Sequence, residues 1–167
     1  MNKRKIRDII RLSGALLCSV LYLPHIFLYM TSGKKRLIDS DIMRQKEQVN
    51  LSLPNWLAVL YFLHNNSYYR SVFYYRIGPV LSLLIGWWRP RNKYFTISDT
   101  TIIGGGILVA HPYATILNAE SIGENFSCIH CTTLGKKGDK RPIIGNNVSL
   151  GANVTIIGGG ISAITLQ

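Results

Sequence analysis

Acidic residues are scarce in this chain: 8 Asp and Glu stand against 19 Lys and Arg in 167 residues. Cysteine is scarcer still. Three cysteines cannot close a paired disulfide set, which sets aside a small secreted scaffold stapled by bridges and makes a reducing compartment the default. Net charge is missing from the second half. Residues 94–167 hold 4 basic and 4 acidic side chains, whereas residues 1–93 hold 15 and 4, so the whole excess of +11 belongs to the first half. A neutral second half offers no electrostatic footprint for nucleic acid. The basic first half leaves an anionic membrane surface or nucleic acid to weigh. Apolar residues make up 47% and mean hydropathy is +0.16, which excludes a disordered chain.

Residues 1–93 read as a helical, basic and partly apolar domain. The run Leu12–Met30 carries no formal charge and is 19 residues long, about the length that spans a bilayer. Pro24 and His25 interrupt it, Ser13, Gly14 and Ser19 dilute it, and basic residues flank both ends. It reads as a buried bundle helix or as an interfacial or membrane-inserted one. Ile38-Asp39-Ser40-Asp41 looks like a helix start, with acid near the positive end of the dipole. Leu53-Pro54-Asn55-Trp56 opens another helix. Ser67 to Arg76 interleaves Tyr and Phe with Arg. Such a run can stack nucleobases. It fits better a helix whose rings pack inward while its guanidinium groups reach for water, because no basic stretch answers it in the second half.

From residue 94 the composition changes to Gly, Asn, Ile and Val, and a period appears. Apolar residues fall six apart at Ile97, Ile103 and Val109, again at Ile122, Cys128 and Leu134, and again at Ile144, Leu150 and Ile156. A six-residue period is neither helical nor hairpin-like. It marks a hexapeptide β-helix, in which each repeat residue points inward and the Gly or Asn after it turns the corner at positive φ. Two breaks interrupt the phase. Val109 to Ile122 is 13 rather than 12, one inserted residue with His111 beside it. Leu134 to Ile144 is 10 rather than 6, a loop from Lys136 to Pro142. Packing needs neither break, so both are candidate functional positions. Cys128-Ile129-His130-Cys131 has a zinc-like look, but no second cluster supplies further ligands and Cys128 is already claimed by the inward repeat, so no metal is expected.

Residues 95–160 resemble the left-handed β-helix acetyltransferases, and within them serine O-acetyltransferase. Three stretches carry the likeness: Ile103 to His111 (IGGGILVAH), Ile122 to Gly135 (IGENFSCIHCTTLG) and Gly138 to Ala152 (GDKRPIIGNNVSLGA). The resemblance implies an α+β chain, helical segment first and left-handed parallel β-helix over 94–167. It implies acetyl-CoA as co-substrate and a small-molecule acceptor, serine or a sugar. It implies a homotrimer with each active site between neighbouring β-helices. His111 is then the general base, His130, Arg141 and Lys140 hold the acceptor, and Gly135, Ala152 and Lys136 lie along CoA. A cytoplasmic enzyme is expected, with membrane-surface association through the N-terminal half.

The chain departs from that family at several points. The Asp that orients the family's histidine is matched by Thr96, with Asp99 the nearest carboxylate in sequence. The Asp that precedes the histidine is matched by Ala110, and the loop His by Arg141, which can still grip a carboxylate with its fork of donors. The hexapeptide pattern dissolves at Gly158-Gly159-Gly160, before the coils that complete the family's CoA groove, as a frameshift in the tail would cause. Three functions follow from the sequence: a serine-type O-acetyltransferase, an acetyltransferase acting on a surface-polysaccharide sugar, and an inactive β-helix that serves as a binding scaffold.

Overall fold

The computed structural model describes residues 3–159 and 161–162. Its first half is helical. α1 (Lys3–Leu17) leads through a 3-10 turn (Ser19–Tyr22) into α2 (Leu23–Thr31), α3 (Lys35–Val49), α4 (Asn55–Asn65), α5 (Ser67–Ile77) and α6 (Pro79–Ile85). The apolar run Leu12–Met30 is therefore not one helix. Its two parts meet at 73°, with Pro24 in the first turn of α2, where a missing N–H costs nothing. No single helix among the described residues is long and apolar enough to cross a membrane.

α3 begins at Lys35, one turn earlier than expected. Asp39 holds Lys35 at 2.5 Å and accepts a hydrogen bond from the Tyr29 hydroxyl, so it braces the helix from inside. Asp41 does not serve the dipole either, being buried. α4 starts where Pro54 and Asn55 predicted. α5 is capped by the Asn66 side chain, which accepts from the amides of Tyr68 and Tyr69 at 3.0 and 3.1 Å.

The rings of α5 pack inward as expected, Tyr69, Phe73 and Tyr74 joining Tyr22, Tyr29 and Phe62 in one core. Its arginines do not reach for water. Arg70 donates to the carbonyls of Leu63 and Pro90, and Arg76 is enclosed with Asp41. Carbonyls left over at helix and loop ends are acceptors that replace the lost water.

The second half is a three-sided parallel β-helix. Its strands are β1 (Phe95–Ile97), β2 (Ile102–Ile103), β3 (Leu108–Val109), β4 (Thr115–Leu117), β5 (Ser121–Ile122), β6 (Ser127–Cys128), β7 (Thr133–Gly135), β8 (Ile143–Ile144), β9 (Ser149–Leu150), β10 (Thr155–Ile157) and β11 (Ile161–Ser162). One face orders β1-β4-β7-β10, the second β2-β5-β8-β11 and the third β3-β6-β9. Three coils are complete and a fourth has begun. Strand pairing continues beyond Gly158, with Ile161 and Ser162 in register with Ile143 and Ile144, but the apolar repeat does end there, since Ser162 is aligned with Ile144. Residues 160 and 163–167, where the tail was read as out of frame, lie outside the described residues.

The interior is a set of stacked columns: Ile97, Leu117, Leu134 and Ile156; Ile103, Ile122 and Ile144; Val109, Cys128 and Leu150. Each buried aliphatic contributes about 1.5–3 kcal/mol of transfer free energy. Leu117 is a column member that a strict count by sixes passes over. Glycine works differently from the expectation. Gly104, Gly123 and Gly145 follow β2, β5 and β8 and stack on one another. A Cβ on Gly123 would sit 2.6 Å from the Gly145 carbonyl carbon, so these glycines permit close coil stacking. Positive φ falls two residues later, at Gly106, Asn125 and Asn147, where asparagine tolerates the left-handed region.

The helical half is joined to the first coil by a buried clasp. Arg76 contacts Asp41 at 2.9 and 3.1 Å and donates to the carbonyls of Ile103 and Gly104, each at 2.6 Å. Asp41 in turn accepts from the amides of Gly106 and Ile107 at 2.9 and 3.0 Å. Burial pushes the Asp41 carboxyl up, and the guanidinium and the two amides pull against that. Gly105 lets α3 approach, since a Cβ there would lie 3.0 Å from the Ser40 side chain.

Candidate active site

His111 lies on the corner between β3 and β4, and strand register explains why it stands out. Eight residues separate Val109 from Leu117, where six separate Cys128 from Leu134 and Leu150 from Ile156 on the next coils. Leu117 to Ile122 is then five rather than six. The single slip expected from the sequence is thus a two-residue insertion at His111 and a one-residue shortfall at the following corner.

Coil 2 passes this corner with one residue, His130, between Ile129 and Cys131. Coil 1 uses three, His111, Pro112 and Tyr113, between Ala110 and Ala114. Ala114, Cys131 and Asn153 form the regular stack of left-handed corner residues. His111, at φ 50°, is an additional one with no counterpart in the other coils. Its carbonyl accepts from the Tyr113 amide at 2.7 Å, a tight turn that throws the imidazole outward. Pro112 is buried and Tyr113 packs on Tyr94 at 4.9 Å, so the bulge is anchored on both sides.

His130 is exposed on the next rung of the same corner, and Ala152 stands on the rung after that. Adjacent rungs of a parallel sheet lie about 4.8 Å apart. Three of the expected site residues therefore share one edge of the β1-β4-β7-β10 face. The other four lie at its opposite edge. Gly135 ends β7, with a Cβ there falling 3.3 Å from Ile157, and the loop beyond it carries Lys136, Lys140 and Arg141. Lys137 and Lys140 pair through their backbones around Gly138, and Lys136 faces Asp139 at 3.2 Å. Arg141 reaches back along its edge and donates to Thr100 at 2.7 Å. Within one chain the two groups do not meet.

Asp99 does not orient His111. It belongs to the Arg141 edge and faces Arg91 at 3.8 Å. Thr96 is exposed on β1. The His111 imidazole makes no hydrogen bond among the described residues; Tyr68 approaches it edge-on, ring centroids 6.5 Å apart. Cys128 points inward, away from His130, and burial pushes its thiol up to about 12, which keeps it neutral and unreactive. Among the described residues no three His, Cys, Asp or Glu side chains gather as metal ligands do.

A cleft of about 520 Å³ opens beside His111, between β3 and the helices. Sequence reading did not find its helical wall. α1 supplies Arg7, Asp8 and Arg11, α3 supplies Gln45 and Gln48, and Tyr68 enters from the first turn of α5. Tyr61 donates to Asp8 at 3.5 Å, and Arg7 faces the same carboxylate at 3.7 Å. Gln45 is buried, yet its amide has no partner among the described residues and borders the cleft. The one available hint was the Asn66 cap, which fixes where α5 starts and so where Tyr68 points.

No family model matches the chain. Over 68 residues it is 37% identical to the protein named colanic acid biosynthesis acetyltransferase WcaB of Escherichia coli K12, covering 38% of this chain and 42% of that one. Over 67 residues it is 36% identical to the protein named serine acetyltransferase 5 of Oryza sativa subsp. japonica, covering 37% and 20%. These relatives are named as acetyltransferases. The match reaches only about two fifths of the length of the first and one fifth of the second. The crystal structure of Neisseria gonorrhoeae serine acetyltransferase CysE superposes with a TM-score of 0.56 at 22% identity, over 80% of this chain and 56% of that one. At that identity the likeness is one of fold: helices first, then a β-helix.

Proposed function

We propose that this chain acts as an acetyl-CoA-dependent O-acetyltransferase, with L-serine as the first acceptor to test. The observation that supports it is His111, an exposed imidazole on an inserted left-handed corner residue at the mouth of a cleft. An alcohol is a weak nucleophile at neutral pH. His111 takes the hydroxyl proton as the acceptor oxygen bonds to the thioester carbonyl carbon. The carbon–sulfur bond breaks, and the proton passes from the imidazolium to the departing CoA thiolate. A positioned base of this kind supplies about 10²–10⁴-fold.

Gly135 and Ala152 give a pantetheine arm room against the backbone, and Lys136 offers charge to the phosphates. Lys140 and Arg141 suit an acceptor carboxylate. Because these groups occupy opposite edges of one face, a homotrimer would unite them, the loop of one copy meeting the His111 corner of the next.

A second reading, acetylation of a sugar hydroxyl, is favoured by the cleft. Its volume falls within the ~300–1,000 Å³ of sites that enclose drug-sized ligands. Its wall is rich in amides and tyrosines, with the Gln45 amide unpartnered among the described residues, and such groups suit a polyol. The experiment is CoA thiol release from acetyl-CoA, with L-serine or with a panel of sugars, by the wild type and His111→Ala. Serine-dependent release reduced at least about 10²-fold in the variant supports the first reading. Release with sugars alone moves the acceptor to the second. Release unchanged by the substitution overturns both.

A further inference from the structure

The helical half carries large apolar side chains on its outside. Leu17 and Val20 are 86% and 71% exposed, and Val80, Leu83 and Trp87 on α6 and just beyond it are 70%, 80% and 76% exposed. The 3-10 turn and α2 adjoin the segment that follows α6, because residues beneath their surfaces touch. The Tyr22 ring lies 4.8 Å from that of Trp88, the His25 imidazole meets the Tyr74 hydroxyl at 3.1 Å, and that hydroxyl donates to the Arg89 carbonyl. Tyr22 and Trp88 pack against each other, and their chain neighbours Leu21, Leu23 and Trp87 are exposed. A monomeric soluble protein rarely leaves such a patch uncovered.

Charge identifies the cover. Residues 1–93 hold the whole excess of +11, and Lys34 and Arg36, which follow α2 in the chain, are exposed. Trp next to Arg, as at Trp87 to Arg89, suits the headgroup level of a bilayer. A second copy placed face to face would set one basic rim against another, which disfavours that occupant. We propose that the outer face of the 3-10 turn, α2 and α6 lies on an anionic membrane surface, its apolar side chains seated among acyl chains and its arginines and lysines at the phosphates. The bend at Cys18 serves this, laying α2 along a surface rather than across it.

The test is flotation of the full chain with phosphatidylcholine vesicles and with vesicles containing about one-third phosphatidylglycerol, comparing wild type with the Leu23→Glu/Leu84→Glu variant. Size-exclusion chromatography and far-UV circular dichroism run alongside. Both leucines are exposed and lie away from the His111 cleft, so the fold should survive. The wild type should float with anionic vesicles, less well with neutral ones, and lose part of its binding in about 0.5 M salt. The variant should partition at least about tenfold more weakly with an unchanged spectrum. Equal flotation of the two proteins, or no flotation of either, overturns the proposal. So does a wild-type oligomer that the variant loses while vesicles have no effect, which would assign the face to a second copy.

Discussion

In the helical half the apolar core also encloses charged and polar side chains, and large apolar ones remain on the outside. His25, Asp41, Arg70 and Arg76 are all buried there. The β-helix encloses no charged side chain among its described residues. Its inner columns are apolar, its buried polar groups are hydroxyls such as Thr101, Thr115 and Thr132 at the corners, and its charges are on the surface. A solenoid buries each coil against the next, so repetition alone closes its core. Six short helical segments have no such periodic partner, and directional contacts fix how they sit. The two halves should therefore fail in different ways, and all three tryptophans, Trp56, Trp87 and Trp88, report on the helical half alone.

The largest effect should follow Asp41→Ala. It leaves the Arg76 guanidinium buried without its carboxylate and strips two coil amides of their acceptor, for a loss of about 3–5 kcal/mol. Tryptophan fluorescence should then report unfolding at lower denaturant than circular dichroism of the strands. Coincident transitions would mean the clasp does not divide the halves. Next comes Leu117→Ala, a fully buried column member, at about 2–5 kcal/mol. Chemical denaturation should show that loss in the strand signal. A loss below about 1 kcal/mol would mean that the interior at this corner rearranges to fill the space.

A smaller effect should come from acid. Burial lowers the His25 imidazole from 6.5 to about 4, helped by Arg70, so the folded state refuses a proton that the unfolded chain accepts. The contribution is complete above about pH 6.5 and lost as pH falls towards about 4, below which it changes no further; its order is about 2–3 kcal/mol. The tryptophan-reported midpoint should fall through that window in the wild type and stay flatter in His25→Gln. A parallel fall in both would assign the acid sensitivity elsewhere.

Much of the second half was legible because a coil leaves its period in the sequence. Nine inward residues were found by counting sixes, and His111 by its place at a break in the count. Leu117 was missed for the same reason that His111 was found: it follows Val109 by eight. The count shows the net slip, and only the register separates an insertion from the shortfall that partly cancels it. Glycine's role was misread because a tight stack and a left-handed turn both favour glycine, and two residues separate them here. The cleft wall and the clasp left no pattern. Asp41 and Arg76 are 35 residues apart, and nothing local distinguishes a buried arginine from one that reaches for solvent.

The clasp also sets an order of events during synthesis. Asp41 is made 65 residues before the Gly106 amide it accepts from. At about 5–20 residues per second, the helical half waits several seconds with a carboxylate and a guanidinium facing an empty place. Those helices can gather early, but the Asp41–Arg76 clasp is complete only once the first coil has been translated and laid against it. The start of the β-helix is thus the last partner of that buried pair, and a ribosome that pauses before Gly104 would leave the pair without its coil carbonyl and amides.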